Sequence, residues 1–343
     1  MGVFDAQFAS PRTATNANTV IKTLDMIIDP VLIVGAPRSG TSLLQKILRN
    51  HPVFWSLPSE SDIIWDRYCH PRFRGWESEC LDEKDITPRM RQQILRKFEC
   101  YMWPAKTWGP IEKTDLIWGF RRIPMTRALY RLAFRHISPL FHSFARQGKP
   151  RRLVEKTASN CFRLGFVNEV FPDARIVHPV RDGRNSVNSL INAWMHPKRF
   201  YTYDAPEKLD IKGYPHGRWK FVLPPDWRDY TNRPLEEVCA FQWRSCNEVM
   251  LAETAKSKYE GRVLRLKLED LADDPDHWLR ALADFVGLPY DDYFREIADN
   301  LPVINSADND TSQDKWQRQN REMVERIAPM IAPTMHRLKY EGE

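Results

Sequence analysis

The stretch VLIVGAPRSGTSLLQKIL, residues 31–48, narrows the possible folds more than any other part of the chain. Val31 to Val34 are apolar without a break, as expected for a strand buried on both faces of a parallel sheet. Gly35 and Gly40 bracket a short loop. TSLLQKILRN then carries a helical period and stops at His51-Pro52, where proline cannot continue a helix. Strand, glycine loop and helix together make a phosphate cradle. Glycine lets the backbone turn tightly beside a ligand, and the first N–H groups of the helix point at an anion. Ser39, Gly40, Thr41 and Ser42 would supply those N–H groups, and Arg38, Ser39, Thr41 and Ser42 add side-chain donors.

The loop lacks one expected part. A nucleoside triphosphatase places lysine before its Ser/Thr and needs a distal Asp for magnesium. Thr41 occupies the lysine position here. The nearest strand ending in Asp is RVLRLKLEDL, where Lys267 interrupts the apolar run before Asp270. A ligand with fewer contiguous phosphates and no metal fits better.

A second anion motif follows another strand. RIVHPVRDGRNSVNSL puts Arg181 at the strand end and Ser189 eight residues later. With a helix beginning near Asp182, Ser189 lies about two turns in. The pair can grip one isolated phosphate from two sides, with Arg184 as a further donor and Asp182 suited to the helix N-terminus. The bland alternative is a structural ion pair between Arg181 and Asp182. Two anion sites at two strand ends, with no magnesium motif, imply a nucleotide with separated anionic groups.

The rest of the chain sets the frame. Its 343 residues, 42% hydrophobic, are ample for a large core. RRLVEKT (151–157), ARIVHPV (174–180) and RVLRLKL (262–268) read as strands alternating with helical segments. The expected fold is α/β, a mainly parallel sheet with helices on both faces, of the P-loop nucleotide-binding type. Residues 1–29 read as a lead-in and 30–343 as a single domain. Residues 53–150 are aromatic, basic and mostly helical in pattern, with 65–150 taken as an inserted helical layer. Residues 197–233 form an aromatic loop rich in Pro, Gly, Trp and Tyr; such a loop is usually functional or mobile, or else is held by its own packing.

Lys plus Arg is 51 against 45 acidic residues, a net charge of +6 that mildly favours anionic ligands. The basic residues are dispersed and match no nucleic-acid motif, so no nucleic-acid partner is expected. The six cysteines show no C-x-x-C spacing, which argues against a disulfide framework or a zinc site and for a reducing, cytoplasmic setting. No apolar run reaches membrane-spanning length, and the N-terminus has no secretory pattern.

At the two anion motifs the chain resembles the sulfotransferases that use 3′-phosphoadenosine 5′-phosphosulfate. GAPRSGTSLL resembles their 5′-phosphosulfate loop, in which arginine or lysine replaces the nucleotide-loop lysine. VRDGRNSVNS resembles their 3′-phosphate motif. RLKLEDLADDPDHWLRALADFVGLPYDD is similar to their later strand–"ED"–helix segment, and SQDKWQRQN to a C-terminal stretch whose lysine and tryptophan lie near the nucleotide. VEKTASN is similar to a "KTP"-like segment, with Ala158 where proline is common. The resemblance runs from Val31 to Ile64 and from Leu153 onward. It implies that Arg38, Ser39, Gly40, Thr41 and Ser42 hold the phosphosulfate, that Arg181 and Ser189 hold the 3′-phosphate, and that Lys315 is a further candidate for that phosphate.

Transfer to a hydroxyl also needs a base. HPVFWSLPSESDIIW offers Glu60 and Asp62, and the resemblance favours Glu60, with Trp55 and Trp65 available to desolvate it. A helix-capping carboxylate in SESD is the plainer reading of Glu60. His70 is a second candidate base, though more plausible as a packing residue. Lys156 could meet the leaving group or the acceptor, or simply pair with Glu155 or another carboxylate. The aromatic loop could line an acceptor pocket, for which the resemblance favours a carbohydrate or small hydroxylated molecule. A P-loop kinase and a non-catalytic anion-binding relative remain as alternatives.

Overall fold

Alternation along the first strand sorts the core into two layers. Val31 and Ile33 pack with Leu44, Ile47 and Leu48, whereas Leu32 and Val34 pack with Val187, Leu190 and Trp243. Successive strand residues face opposite sides of a sheet, so one strand feeds both layers. Helices therefore cover both faces, as expected. The computed structural model describes residues 27–57, 60–104, 152–197, 200, 202–302 and 314–340.

In chain order, β1 (Val31–Ile33) leads into α1 (Thr41–Asn50), followed by β2 (Phe54–Ser56), α2 (Asp62–Cys69), α3 (Pro88–Tyr101) and β3 (Trp103–Pro104). Alternation resumes with β4 (Arg152–Lys156), α4 (Leu164–Val170), β5 (Arg175–Val180) and α5 (Gly183–Met195). The short β6 (Thr202–Tyr203) and β7 (Trp219–Lys220) precede α6 (Leu235–Thr254), β8 (Val263–Lys267), α7 (Leu268–Asp273) and α8 (Pro275–Phe285). α9 (Asp292–Asp299), α10 (Lys315–Gln319) and α11 (Arg321–Arg337) complete the described elements. The main sheet has the order β3-β2-β4-β1-β5-β8. Every neighbouring pair is parallel except β2 with β3.

Two expectations needed correction. The block read as mostly helical from residue 53 opens with a sheet strand: β2 pairs with β4 through Phe54–Arg152, Trp55–Leu153 and Ser56–Val154. Three residues are too few to show a period, so the strand was invisible. β3 also lies inside the stretch taken as a helical layer, and its Pro104 sits at the sheet edge, where a missing N–H is tolerated. α3 realises the helical expectation for PRMRQQILRKFECY. The second helical stretch, within 125–147, falls outside the described residues.

The aromatic loop is built into the core. β6 pairs with β7, and Trp219 and Trp227 are fully buried. Trp194, Trp219 and Trp227 stack edge-on in series, with ring centroids 5.5 and 5.3 Å apart. Each indole N–H finds a partner: Trp219 donates to the Val222 carbonyl at 2.7 Å and Trp227 to the Trp76 carbonyl at 2.8 Å. Burying rings of this size contributes about 2–3 kcal/mol each, which explains order in a segment with little regular structure. Among the described residues no helix is long and apolar enough to cross a membrane. All six cysteines are free thiols.

Candidate active site

The site forms where three neighbouring strands end. β1 lies between β4 and β5, and Ile33 is level with Lys156 on one side and Val177 on the other. Beyond Ile33 the chain leaves the sheet as the glycine loop. Lys156 thus flanks the loop on one side, and Arg181, just past β5, flanks it on the other. The carboxyl ends of parallel strands are where such sheets bind ligands.

Loop geometry agrees with an anion cradle, and packing accounts for both glycines. Gly40 has φ +90°, and a Cβ there would come within 2.8 Å of Leu268 Cδ1. A Cβ on Gly35 would stand 2.7 Å from the Pro179 carbonyl oxygen. The tight fit keeps the loop pressed against β5 and α7. Pro179 is tolerated within β5 because β1 pairs with that strand only as far as Val177. Leu43 and Leu44 donate the first helical bonds of α1, both to the Gly40 carbonyl. The N–H groups ahead of them have no partner within the helix. Ser39 differs from expectation, because its N–H turns back to the Ala36 carbonyl at 3.3 Å. Its hydroxyl is fully buried and has no hydrogen-bond partner among the described residues. A phosphate or sulfate oxygen would satisfy it.

Arg38 joins the two anion motifs. Its backbone is left-handed, with φ 72°. Its Nε donates to Ser189 Oγ at 2.9 Å, and its carbonyl accepts from Arg181 Nη1 at 3.3 Å. The Phe200 ring lies 5.3 Å from its guanidinium carbon. Arg38, Ser189 and Arg181, read as members of two separate sites, thus touch one another directly. Asp182 caps α5, accepting from the N–H groups of Arg184 and Asn185. Its ion-pair partner is Arg184 at 2.8 Å. Burial lowers the pKa of Arg181, with Glu269 opposing the shift. Lys315 begins α10, which an amide cluster ties to α5: Gln319 Oε1 accepts from Asn188 and Asn192, while Asn320 donates to the side-chain oxygens of both. Trp316, beside Lys315, lies 5.7 Å from the Arg184 guanidinium.

On the other flank Lys156 pairs with Glu60. Lys156 is almost wholly buried, while the Glu60 side chain keeps 34% exposure. Trp65 is fully buried. Its indole N–H reaches Ser61 Oγ at 3.0 Å and Glu155 Oε1 at 3.2 Å. Glu155 is buried and also accepts from Ser61, Thr157 and Asn160. Burial raises its pKa against the pull of these donors. Asp62 is pushed well up by burial and by the nearby Glu60 charge. His70 caps the short helix Pro71–Arg74, its Nδ1 accepting from the Arg72 N–H at 3.1 Å, and packs edge-on against Trp76 and Tyr203.

The sequence profile of the sulfotransferase family matches residues 30–292, most of the chain. This protein belongs to the sulfotransferase family. Among curated proteins it is similar to protein-tyrosine sulfotransferase A of Caenorhabditis elegans, 21% identical over 91% of this chain and 67% of that one. It is also similar to protein-tyrosine sulfotransferase 1 of Danio rerio, 22% identical over 97% of this chain and 78% of the relative. Among solved structures, a sulfotransferase domain from the curacin biosynthetic pathway aligns over 92% of this chain and 99% of its own, with TM-score 0.49 and 14% identity.

Several parts of this sulfotransferase site escape a reading by motif. The Glu155 cluster draws on Ser61, Trp65, Thr157 and Asn160, spread over a hundred positions of sequence. Glu79 is buried and takes the Tyr203 hydroxyl and the Leu223 N–H at 2.8 Å, so it fastens the aromatic loop. Its only sequence signal is a charged residue in an aromatic, cysteine-bearing neighbourhood.

Proposed function

We propose that this sulfotransferase transfers the sulfuryl group of 3′-phosphoadenosine 5′-phosphosulfate to an acceptor hydroxyl. One observation carries the reading: the Arg38 side chain bonds Ser189 while its carbonyl takes Arg181, so the loop and the second anion motif close on each other at adjacent strand ends. A nucleotide with a 5′-phosphosulfate and a separate 3′-phosphate has its charges spaced for such a pair. The orphaned Ser39 hydroxyl and the first turn of α1 fit the 5′ end. Arg181 and Ser189 fit the 3′ end, with Lys315, at the start of α10, a further candidate.

The donor supplies an activated sulfuryl group whose departure leaves charge on the bridging oxygen. Catalysis then rests on alignment and charge stabilisation. Arg38 meets that charge, a contribution of about 3–4 kcal/mol for a preorganised donor of this kind. Lys156 stands on the opposite side of the loop and adds positive charge there. Glu60, oriented by Lys156 and partly exposed, accepts the proton of the attacking hydroxyl. The curated relatives are named for protein tyrosine, which supports a tyrosyl hydroxyl as the first acceptor to try; the carbohydrate or small alcohol suggested by sequence comes second.

Thermal stabilisation by 3′-phosphoadenosine 5′-phosphate, measured in EDTA beside ATP with magnesium, tests the donor. At about 100 times its dissociation constant the bisphosphate adds roughly 2.7 kcal/mol. A shift with ATP and magnesium alone would sink the reading in favour of a kinase. Sulfate transfer from labelled donor to a tyrosine peptide and to an oligosaccharide then separates the acceptors.

A further inference from the structure

We propose that Tyr340, acting through Glu269, positions Arg181 and so sets the preference of the site for a nucleotide bearing a 3′-phosphate. The inference deepens the donor reading above and rests on it.

Glu269, in the first turn of α7, is bound at both oxygens. Oε1 accepts from the Asp182 N–H at 3.1 Å, and Oε2 accepts from the Tyr340 hydroxyl at 2.8 Å. Asp182 is the residue after Arg181 and caps α5. Glu269 therefore grips the chain one residue from the 3′-phosphate arginine, at the start of the helix that carries Ser189. Arg181 extends to the Arg38 carbonyl rather than closing a salt bridge on Glu269. The carboxylate thus leaves the guanidinium available to a ligand while fixing the backbone from which it springs.

Tyr340 is itself held from several directions. α11 ends in a left-handed residue, Lys339, with φ 60°. The Tyr340 N–H returns to the Met335 carbonyl at 2.9 Å, which folds the tail back toward β8. Lys267 donates to the Lys339 carbonyl at 2.8 Å and its ammonium lies 4.7 Å from the Tyr340 ring centre. From the same helix, Met335 Sδ accepts from the Gly183 N–H at 3.0 Å. The end of α11 thus reaches the N-terminus of α5 by two routes, one through Met335 and one through Tyr340 and Glu269. Burial raises the Glu269 pKa and the Tyr340 donor opposes that rise. Removing the hydroxyl would weaken the carboxylate's hold on the Asp182 N–H.

Two ligands that differ only at the 3′ position separate a positioning role from a structural one. Calorimetric titration of 3′-phosphoadenosine 5′-phosphate and of adenosine 5′-phosphate, which lacks the 3′-phosphate, is run on the full chain, on Tyr340→Phe, on Glu269→Ala and on the double variant. Tyr340→Phe should weaken the bisphosphate about tenfold, the size expected of a lost hydrogen bond to a charged group, and leave adenosine 5′-phosphate unchanged. In the Glu269→Ala background it should cost nothing further, because the two residues act as one chain. Lys267→Met loosens the tail without touching Glu269. It should give a smaller loss with the same ligand preference, and it serves if Tyr340→Phe does not fold. Equal losses on both ligands, or an unchanged bisphosphate affinity in both tail variants, would overturn the inference. Failure of the unsubstituted protein to bind the bisphosphate would overturn the donor reading instead.

Discussion

The two flanks of the glycine loop are made by different means. On the Arg181 side, the proposed recognition rests on contiguous segments, residues 35–42 and 181–189, with their backbone turns and helix starts. On the Glu60 side it rests on side chains drawn together from afar: Glu60 with Lys156, Glu155 with Ser61 and Trp65, Glu79 with Tyr203. Anion binding can use N–H groups that any residue supplies, so it leaves a local pattern. Proton transfer needs one carboxylate held in one place, and the holding can come from anywhere in the fold.

The largest effect expected is on the Glu60 flank. Glu60→Gln should lower turnover by about 10²–10⁴-fold, the range of a lost general base, while bisphosphate affinity holds. A matching loss of affinity would break the distinction between the flanks. Arg38→Ala comes next, with turnover down about 10²–10³-fold as for a lost charge-stabilising donor, measured by single-turnover transfer at saturating donor. A change in donor KM alone would recast Arg38 as a binding residue. Arg181→Ala should cost roughly 10–100-fold in bisphosphate affinity, as for charge-assisted hydrogen bonds, with little effect on a nucleotide lacking the 3′-phosphate. Trp219→Ala tests whether the aromatic loop is core. Urea unfolding should show about 3–5 kcal/mol lost, against well under 1 kcal/mol for a merely draped loop.

The smallest effect is in acid. His178 is buried in β5 behind Gly35, with Arg265 Nε 3.5 Å from its Nδ1, and burial lowers its pKa to about 3. The unfolded chain takes up this proton near the ordinary histidine pKa of about 6.5, whereas the folded protein does not until about 3. Stability from the neutral imidazole is complete above the unfolded value and is lost as pH falls through that window. Melting midpoints from pH 7 to 4 should decline more gently in His178→Gln. Parallel curves would remove His178 from the acid response.

The fold was legible where physics is local. Val31 to Val34, the helix stop at His51-Pro52 and the Asp182 cap all stand as the sequence implies. β2 was not legible, because three residues carry no period and its place is decided by pairing with β4. In the site, Arg38, Ser189 and Arg181 could be named from motifs, but their mutual contact could not. Ser189 lies 151 positions from Arg38. Trp65 stands close to Glu60 in sequence, and its proximity suggested that the ring could desolvate the carboxylate. The indole instead turned to the buried Glu155, because a buried N–H must find an acceptor. Tyr340 carried no signal at all.

Arg38 also places activity and robustness in opposition at a single torsion angle. A non-glycine residue in the left-handed region costs of order 1–3 kcal/mol, and φ 72° puts Arg38 there. Glycine at this position would relax the turn and stiffen nothing else, so the altered protein should resist heat better than the original. It would also lose the guanidinium that spans the two motifs. Selection for thermal endurance alone would erode this protein first at the residue that links its two anion motifs.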